Sequence, residues 1–563
     1  MTSSRSALVL PSRRLLHTLG FGLAAAVLAT AGPLTARAGD LALPETHHLY
    51  NGVSDVLTSP SADGAADGSG LRNVSGPICS TTTTAAANVN TSCESVSPSN
   101  ETAIAVNPNN ASNLIGGAND YQLTLSSGGH LYETIYTRAH VSSDGGQTWT
   151  EVGIQYPNYT ATGDAGVAFD ASGRAYMSTL GFSFSQGLGC CTDPDILVAT
   201  SNDGGQSWAR PEKVAAGQGV FGGPGVLNDK PEIAAWGNGN AIETWTIFNQ
   251  GFKGSYLSSP IAASVTHDGG NTWSSPVEIS GSAAFCAGTQ GGTICNSDQG
   301  SVPVVAADGS VFVSFLNTSD FATGRDQYLV VKVDPSTGQR LAGPFRVSGV
   351  IDGPADYPVN IDGRQTYQDS QFRSWAFGPI AADPTKAGHL AMVWSDMRNS
   401  QLPAPRNPYQ AVTNSDIIVS QSFDGGATWS AAKALVAPGD QFQPWAAYDS
   451  TGRLRIGYFD RSYDAANHKY GYTLATETKS GSLKFSTAQA TTVLSDPTQG
   501  DRWFSGRTPN AAFPHPTTFL GDYSGIAPTP SGGVALLWTD MRDTVCFPSR
   551  CGFGERSYYA TSG

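Results

Sequence analysis

The chain is short of charge, and of positive charge above all. Only 14% of its 563 residues are Asp, Glu, Lys or Arg, and 32 Lys and Arg face 46 Asp and Glu, which gives a formal net charge of -14. A protein that binds nucleic acid needs a basic surface, and anionic membranes attract the same charge. We therefore expect neither nucleic acid nor an anionic membrane as a partner.

Long apolar runs and familiar catalytic motifs are also lacking. Beyond residue 38 the sequence has no stretch of about 18 apolar residues that could span a bilayer. The nine His form no H-E-x-x-H motif, and there is no G-x-S-x-G elbow, P-loop or dinucleotide-binding fingerprint. The sequence therefore predicts no membrane span, no metal site and no cofactor.

The first 38 residues have the pattern of an export signal. Arg5, Arg13 and Arg14 precede an apolar run at 19–28, and Ala36-Arg37-Ala38 offers a small-residue cleavage site. Ser12-Arg13-Arg14 leaves a twin-arginine signal as an alternative. Residues 39–70, rich in Ser, Asp, Gly and Ala, are predicted to be a flexible leader. We expect a secreted or periplasmic protein whose folded domain covers residues 71–563.

Eight Cys in an exported chain favour disulfides. Their spacing is local and predicts three loop-closing pairs. These are Cys79 with Cys93, Cys286 with Cys295, and Cys546 with Cys551. The adjacent Cys190 and Cys191 could bond to each other or elsewhere, and the sequence leaves both open.

An octapeptide of the form S/T-x-D-x-G-x-S/T-W occurs four times, at 142–149, 201–208, 266–273 and 422–429. It has the chemistry of a tight hairpin turn. Gly permits a positive φ, the Asp and Ser/Thr side chains bond the turn's own amides, and Trp packs beneath it. Such turns predict many short antiparallel strands, and hence an all-β fold.

This octapeptide is similar to the Asp-box, or bacterial neuraminidase repeat, and the chain resembles the sialidase-like β-propeller superfamily. In that family the box joins the third and fourth strands of a blade, on the face away from the active site. The resemblance therefore implies a structural role for Asp144, Asp203, Asp268 and Asp424.

A second, weaker repeat opens each unit with small and apolar residues before a turn and a β-rich run. It begins at residues 104, 167, 233, 305, 380, 446 and 526. We predict a single β-propeller of seven four-stranded antiparallel blades, with six blades as the alternative. The last unit lacks an outer strand. Residues 72–76, Arg-Asn-Val-Ser-Gly, resemble the other outer strands, so we expect this segment to close the ring beside the C-terminal strands.

Blade geometry puts the second-to-third connections and the links between blades on one face, here called the loop face. Every Cys and the long insertions 183–195, 281–300, 351–378 and 399–414 are expected there. Three successive units leave their second strand with similar residues at this face, namely Asp396 and Arg398, Asp460 and Arg461, and Asp540 and Arg542. These arginines could together bind an anionic sugar, or each pair could tie blades together.

Acidic residues just before the inner strands are expected to border the channel mouth. They are Asn100-Glu101, Asp164, Asp229 with Glu232, Asp298, Asp440 and Asp522. Sialidases use three Arg for the substrate carboxylate, a Tyr nucleophile activated by a Glu, and an Asp as acid/base. The rim residues that could take these roles are Arg398, Arg461 and Arg542 for the carboxylate, Tyr523 or Tyr463 as nucleophile, and Glu101 or Asp522 as its base.

The first hypothesis for function is thus an exported, sialidase-like protein that acts on glycans, with exo-α-sialidase-type hydrolysis as the activity that the resemblance implies. The sequence departs from the family because the Phe/Tyr-Arg-Ile/Leu-Pro motif before the first box is not found. This departure favours the alternative, a non-catalytic propeller that binds a glycan or a protein through its disulfide-stapled loop face.

Overall fold

The computed structural model describes residues 73–562, apart from 82–86, 95–97, 126–130, 186–188, 220–222, 290, 319–325, 350–366, 368–369, 371, 373, 375–377, 401–411, 498–519 and 547–550. The predicted export signal (1–38), leader (39–70) and Arg72 lie outside the described residues, as do most of the insertions 351–378 and 399–414. Among the described residues there is no α-helix, and no helix that could cross a bilayer.

Thirty-one strands make up the described fold. In chain order they are β1 (Gly76–Ser80), β2 (Val89–Asn90), β3 (Ser99–Val106), β4 (Leu114–Leu125), β5 (Leu131–Ser142), β6 (Thr150–Gly153), β7 (Ala161–Phe169), β8 (Ala175–Ser185), β9 (Gly189–Ser201), β10 (Glu212–Ala215), β11 (Gln218–Gly219), β12 (Gly225–Trp236), β13 (Asn240–Gln250), β14 (Tyr256–Ser258), β15 (Ile261–Thr266), β16 (Val277–Glu278), β17 (Asp298–Val305), β18 (Val311–Asn317), β19 (Gln327–Val333), β20 (Arg340–Gly349), β21 (Ile380–Ala382), β22 (Leu390–Asp396), β23 (Asp416–Ser422), β24 (Lys433–Leu435), β25 (Gln441–Tyr448), β26 (Leu454–Asp460), β27 (Gly471–Glu477), β28 (Phe485–Gln489), β29 (Gly525–Pro528), β30 (Val534–Cys546) and β31 (Cys551–Ser562).

These strands form seven antiparallel sheets, which are the blades of one propeller. Blades 1 and 2 are β3–β6 and β7–β10, blade 3 is β12, β13, β15 and β16, and blades 4, 5 and 6 are β17–β20, β21–β24 and β25–β28. Blade 7 is β29, β30 and β31 completed by β2. All seven predicted unit starts fall on or next to an inner strand, so the seven-bladed prediction is confirmed and the six-bladed alternative is wrong.

The ring is closed by an N-terminal strand, but the predicted segment was wrong. Val89 pairs with Tyr559 and Asn90 with Tyr558, so β2 supplies the fourth strand of blade 7. Strand β1, which begins at Gly76, instead adds a fifth strand to the outer edge of blade 1. Both edges are open outer edges, and a short polar strand fits either, so the sequence of 72–76 could not discriminate between them.

Side-chain contacts settle which edge each segment takes. The Asn73 amide brackets the backbone of Tyr156, because its Nδ2 donates to the Tyr156 carbonyl at 2.9 Å and its Oδ1 accepts from the Tyr156 N–H at 2.6 Å. This contact fixes the chain ahead of β1 against blade 1. The Cys79–Cys93 disulfide then joins β1, on blade 1, to the segment just after β2, the strand that completes blade 7.

Two of the predicted disulfides, Cys79–Cys93 and Cys286–Cys295, are present. The backbones of Cys546 and Cys551 lie opposite each other in register across β30 and β31. The side chains of this last pair, and those of Cys190 and Cys191, lie outside the described residues, so their pairing stays a prediction.

The octapeptide turns join the third and fourth strands of blades 1, 2, 3 and 5. In the first turn, Asp144 Oδ1 accepts from the Thr148 N–H at 3.0 Å and Oδ2 accepts from the Thr148 hydroxyl at 2.7 Å. Asp203, Asp268 and Asp424 make the same pair of bonds to the residue four positions later. The Thr272 hydroxyl, by its hydrogen bond, holds the pKa of Asp268 below its usual value. The carboxylates are therefore engaged inside their own turns.

Each of these turns also contacts the preceding blade of the ring. The Gly204 carbonyl accepts from Asn113 of blade 1 at 2.9 Å, and the Gly269 carbonyl accepts from Arg174 of blade 2 at 2.9 Å. Across the closing seam, the Tyr559 hydroxyl of blade 7 donates to the Gly145 carbonyl at 3.3 Å. A Cβ at neighbouring Gly146 would lie 2.1 Å from the Tyr559 ring, so this approach requires glycine.

Ring closure by β2 predicts unequal effects of one substitution at two sites. Val89 is 4% exposed and packs with Trp149, Leu537 and Tyr559 in the core between blades 7 and 1. Val89→Asp should lower the free energy of unfolding by about 3 kcal/mol or more, because the carboxylate would be buried without a partner. The same change at half-buried Val74 should cost about 1 kcal/mol or less. Thermal unfolding of both variants measures the difference, and equal losses would contradict closure by β2.

Candidate functional site

The inner strands share one irregularity close to the propeller axis. The inner strands of blades 1, 2, 3, 4 and 6 each slip in register against their second strand at the same place. The residues inside these bulges adopt the left-handed backbone conformation, and they are Glu101 (φ 52), Asp164 (φ 61), Lys230 (φ 54), Gly300 (φ 65) and Gln443 (φ 46). In blade 7 the corresponding left-handed residue is Gly521 (φ 80), just before Asp522.

Four of these six positions carry a side chain that disfavours a positive φ, at a cost of about 1 kcal/mol or more each. Strain repeated at equivalent points in several blades indicates that the side-chain direction matters. In blades 1, 2 and 3 the bulge brings charged side chains together at the axis.

Those side chains form a buried cluster, called the axial cluster, of Glu101, Asp164, Lys230 and Asp522. Lys230 Nζ lies 2.7 Å from Asp522 Oδ2, 3.3 Å from Glu101 Oε1 and 3.7 Å from Asp164 Oδ2. The Lys230 side chain is 3% exposed, and the three acids are fully buried. One ammonium group thus joins blades 1, 2, 3 and 7.

Burial and mutual interaction shift the pKa values of the groups in the axial cluster. Burial raises the pKa of Glu101 well above its usual value, and the neighbouring Asp164 and Asp522 carboxylates raise it further, against the opposing charge of Lys230. Burial likewise raises the pKa of Asp164 to about 6. The interaction between the two carboxyls raises the pKa of Glu101, whereas hydrogen bonding to Glu101 lowers that of Asp164. Although burial lowers the pKa of Lys230, the acids around it raise it overall, and it stays charged.

Polar neighbours hold the cluster in place. Asn119 bridges blades 1 and 2, because its Nδ2 donates to Glu101 Oε2 at 2.6 Å and its Oδ1 accepts from the Asp164 N–H at 2.9 Å. Gln443 from blade 6 donates to the Gly521 carbonyl at 2.7 Å, next to Asp522. Five blades therefore meet at the axis through side chains of their inner strands.

Tyr523 lies beside this cluster. Lys230 Nζ lies 5.3 Å from the centre of the Tyr523 ring. The centres of the Tyr523 and Trp445 rings are 6.1 Å apart. Tyr523 is 6% exposed, and burial together with nearby Asp164, Glu101 and Glu232 raises its pKa well above the usual value. The phenol is therefore neutral. A cavity of about 20 Å³ lined by Lys230, Glu232, Ser301, Trp445 and Tyr523 has room for one water molecule.

The structure thus brings the predicted catalytic residues Tyr523, Asp522 and Glu101 together, around a lysine that the sequence reasoning missed. Lys230 stands three residues before the unit start at Ile233, and Glu101 stands three before Ile104. The same offset places Asp164 before Val167 and Gln443 before Ala446. Aligning the units on their starts is the signal that could have identified Lys230.

The three predicted rim arginines are each held by a nearby acid. Arg398 makes a forked pair with Asp396, and Arg542 does the same with Asp540, with Nε–Oδ1 distances of 2.8 and 2.9 Å. Their side chains are 26% and 11% exposed. The indole Nε1 of Trp394 and of Trp538 also donates to Asp396 and Asp540, at 3.2 and 3.0 Å.

Arg461 is different because it is fully buried. Its Nη1 lies 3.5 Å from Asp440 and donates to the Asn467 carbonyl at 3.0 Å, and the guanidinium lies among the rings of Tyr367, Phe372 and Phe442. Asp460, its neighbour in sequence, instead accepts from Gln441 at 3.2 Å and from Thr473 at 2.8 Å. The alternative nucleophile Tyr463 has its hydroxyl in hydrogen-bond contact with Thr473.

These ion pairs lie within single blades, whereas the second reading that the sequence left open has each pair tie neighbouring blades together. A common role of Arg398, Arg461 and Arg542 in binding one substrate stays a prediction. Each guanidinium already contacts an acid, so a substrate carboxylate would bind only the N–H donors that these pairs leave.

No family model and no curated protein matches the chain. Among solved structures, a Dyadobacter fermentans protein of unknown function aligns with a TM-score of 0.42 and 11% identity over 84% of this chain and 97% of its own. The NanB sialidase of Streptococcus pneumoniae gives 0.41 and 9% over 86% and 99%. An α-L-arabinanase of Penicillium chrysogenum gives 0.39 and 11% over 84% and 97%. Likeness this remote says nothing about the chemistry of this chain.

Removing the axial ammonium should strongly destabilise the fold. Lys230→Met leaves buried carboxylates without their counter-charge, and we expect a loss of about 3–5 kcal/mol in the free energy of unfolding. Adding Asp522→Asn to that variant should recover part of the loss, although Asp522→Asn alone should destabilise the native protein. Lys469→Met, at an exposed lysine, is the control. Thermal unfolding reports all four, and additive losses in the double variant would contradict the pairing.

Glu232 should make stability fall as the pH rises. Burial raises the pKa of Glu232 to about 8, although the charge of Lys230 lowers it, whereas an exposed Glu has a pKa of about 4.3. The folded protein therefore holds this proton more tightly, and the resulting stability is complete below about pH 4 and is lost as the pH rises through 8. Glu232→Gln should reduce the drop in Tm between pH 5 and 9, while Glu212→Gln, at an exposed glutamate, should not. An unchanged drop in Glu232→Gln would refute the assignment.

Proposed function

We propose that the protein is an exported β-propeller that binds glycans through its loop face and that does not hydrolyse sialosides. The observation that carries this proposal is the engagement of all three rim arginines with acids of their own surroundings. A sialidase needs guanidinium groups that converge on the substrate carboxylate, and a guanidinium that is already paired offers that carboxylate fewer donors.

The axis supports the same proposal. A phenol attacks efficiently when a carboxylate can take its proton and the substrate can reach it. Tyr523 is buried, its pKa is raised, and the adjoining cavity has room for only about one water molecule. The carboxylates next to it are turned toward Lys230, which ties the blades together. Because the axial groups are buried and paired, the loops around the rim are the better candidates for ligand binding.

The sign of the surface charge also favours neutral or weakly charged ligands over strongly anionic ones. The 46 acidic residues exceed the 32 basic ones, and the rim arginines are neutralised locally. Hydroxyl-rich ligands are bound by hydrogen bonds from planar polar side chains and by contact with aromatic rings, and they need no net charge.

A second candidate is hydrolysis of a neutral glycan by two carboxyls. Asp164, with a pKa of about 6, and Glu232, with a pKa of about 8, are nearby groups that titrate in the range where acid and base catalysts work. Release of reducing ends from neutral polysaccharides, abolished by Glu232→Gln, would favour this candidate over pure binding.

The purified protein should release no sialic acid from a fluorogenic sialoside between pH 4 and 8, yet bind members of an array of neutral and acidic oligosaccharides. A bacterial sialidase and a heat-denatured sample serve as positive and negative controls. Sialic acid release that Arg398→Ala, Arg461→Ala or Arg542→Ala abolishes would overturn the proposal and restore the sialidase hypothesis. Absence of binding to every glycan on the array would overturn it as well.

A further inference from the structure

A groove of about 750 Å³, far larger than the axial cavity, lies on the outer flank of blade 2 near the loop face. Three segments form it: the link from blade 1 at 156–159, the start of β9 at 193–195, and β10 with the residues on either side of it at 210–218. Its volume lies within the range of typical ligand sites, several hundred Å³. We call it the flank groove.

A buried carboxylate fastens the three segments of the flank groove to one another. Asp195 Oδ2 accepts from the Tyr159 hydroxyl at 2.7 Å and from Lys213 Nζ, and Oδ1 accepts from the Gly217 N–H at 2.8 Å. The Asp195 side chain is 6% exposed, whereas that of Lys213 is half exposed. Because one acid fixes a residue from each of the other walls, the groove is set before any ligand arrives.

The backbone beside this acid is strained. Asp193 has a φ of 49 although it precedes Pro194, a position that favours extended backbone. Its Oδ1 accepts from the Gly219 N–H at 2.7 Å, and the Pro194 carbonyl accepts from Asn228 of blade 3 at 3.0 Å. Strain that is held by contacts to two other strands indicates a shape kept for binding.

The exposed groups of the groove are polar and of mixed sign. Asn158, Asp193, Arg210, Glu212 and Gln218 are exposed, and Tyr159 contributes part of its ring. Lys213 is neutralised by Asp195, and Arg210 makes no ion pair with any residue that the structure describes. The remaining exposed charges of the groove are the Arg210 guanidinium and the carboxylates of Asp193 and Glu212. Because negative charges outnumber positive ones, the lining does not favour an anionic ligand.

Carboxylate, amide and guanidinium groups around a tyrosine ring form the set of donors and acceptors that hydroxyl-rich ligands need. Each planar group can bond two neighbouring hydroxyls, and the ring can cover the C–H face of a sugar. The volume of about 750 Å³, spread across three chain segments, fits several linked sugar units better than one.

We infer that the flank groove binds a short neutral oligosaccharide, with Arg210 and Asn158 as direct contacts. The inference rests on the proposed glycan-binding function and assigns it to blade 2, away from the axial cluster.

Isothermal titration of the full-length mature protein tests the assignment, with maltotriose, cellotriose, xylotriose and arabinotriose as neutral probes and with sialyllactose as the acidic one. Arg210→Ala and Asn158→Gly should each weaken binding of the preferred neutral trisaccharide by about tenfold. Both residues are exposed, and Gly tolerates the positive φ of 75 at position 158, so the Tm should change little. Asn202→Ala, at an exposed asparagine in the octapeptide turn on the opposite face of the same blade, is the matched control and should bind like the native protein.

Loss of binding in both groove variants with retention in Asn202→Ala would support the flank groove as the site. Binding that all three variants retain would overturn this inference and leave the proposed glycan-binding function standing. Tighter binding of sialyllactose than of every neutral probe would overturn the neutral class. A native protein that binds nothing here or on the array would refute the proposed function itself.

Discussion

The burial of a single ammonium group among carboxylates from three other blades is the constraint on which the axis of this propeller depends. Taking charges out of water is costly, and only close pairing offsets the cost. Lys230 contacts acids of blades 1, 2 and 7 at once. Its position requires a bulge with a left-handed residue in its own strand and matching bulges in blades 1 and 2. The register of three inner strands is therefore tied to one ion-pair network.

That network has a chemical cost of its own. It has three acids and one base, and burial raises the pKa of Glu101 well above its usual value, which favours the neutral form of that acid. Two of the carboxylates that the sequence predicts as catalysts, Glu101 and Asp522, are the ones that contact Lys230 at the axis. Any role of theirs in catalysis would have to be compatible with this contact between blades.

The sequence could predict the features that are encoded locally. The octapeptide turns close on themselves through Asp144 and its counterparts, so eight residues suffice to predict them. The seven unit starts repeat in small apolar residues.

Closure by Val89–Asn90 could not be predicted, because it depends on the long-range contact between Asn73 and Tyr156 and on the Cys79–Cys93 disulfide. The bulge at Lys230 also has no local signal, since a lysine does not favour a positive φ. At the rim, the repeated Trp-x-Asp-Met-Arg residues could be read as binding or as architecture. In blades 5 and 7 of the structure, one carboxylate, that of Asp396 or Asp540, accepts hydrogen bonds from both an indole and a guanidinium of its own blade.

The octapeptide turns have one more consequence for the whole ring. The turns in blades 2 and 3 bond backward, to the blade that precedes them, and the contact between Tyr559 and Gly145 in the turn of blade 1 repeats this arrangement where the chain's two ends meet. Blade 1 thus meets blade 7 as blade 2 meets blade 1, and the ring has no distinct starting point at these contacts. A circularly permuted gene, opened between two other blades, would encode the same set of neighbour interfaces.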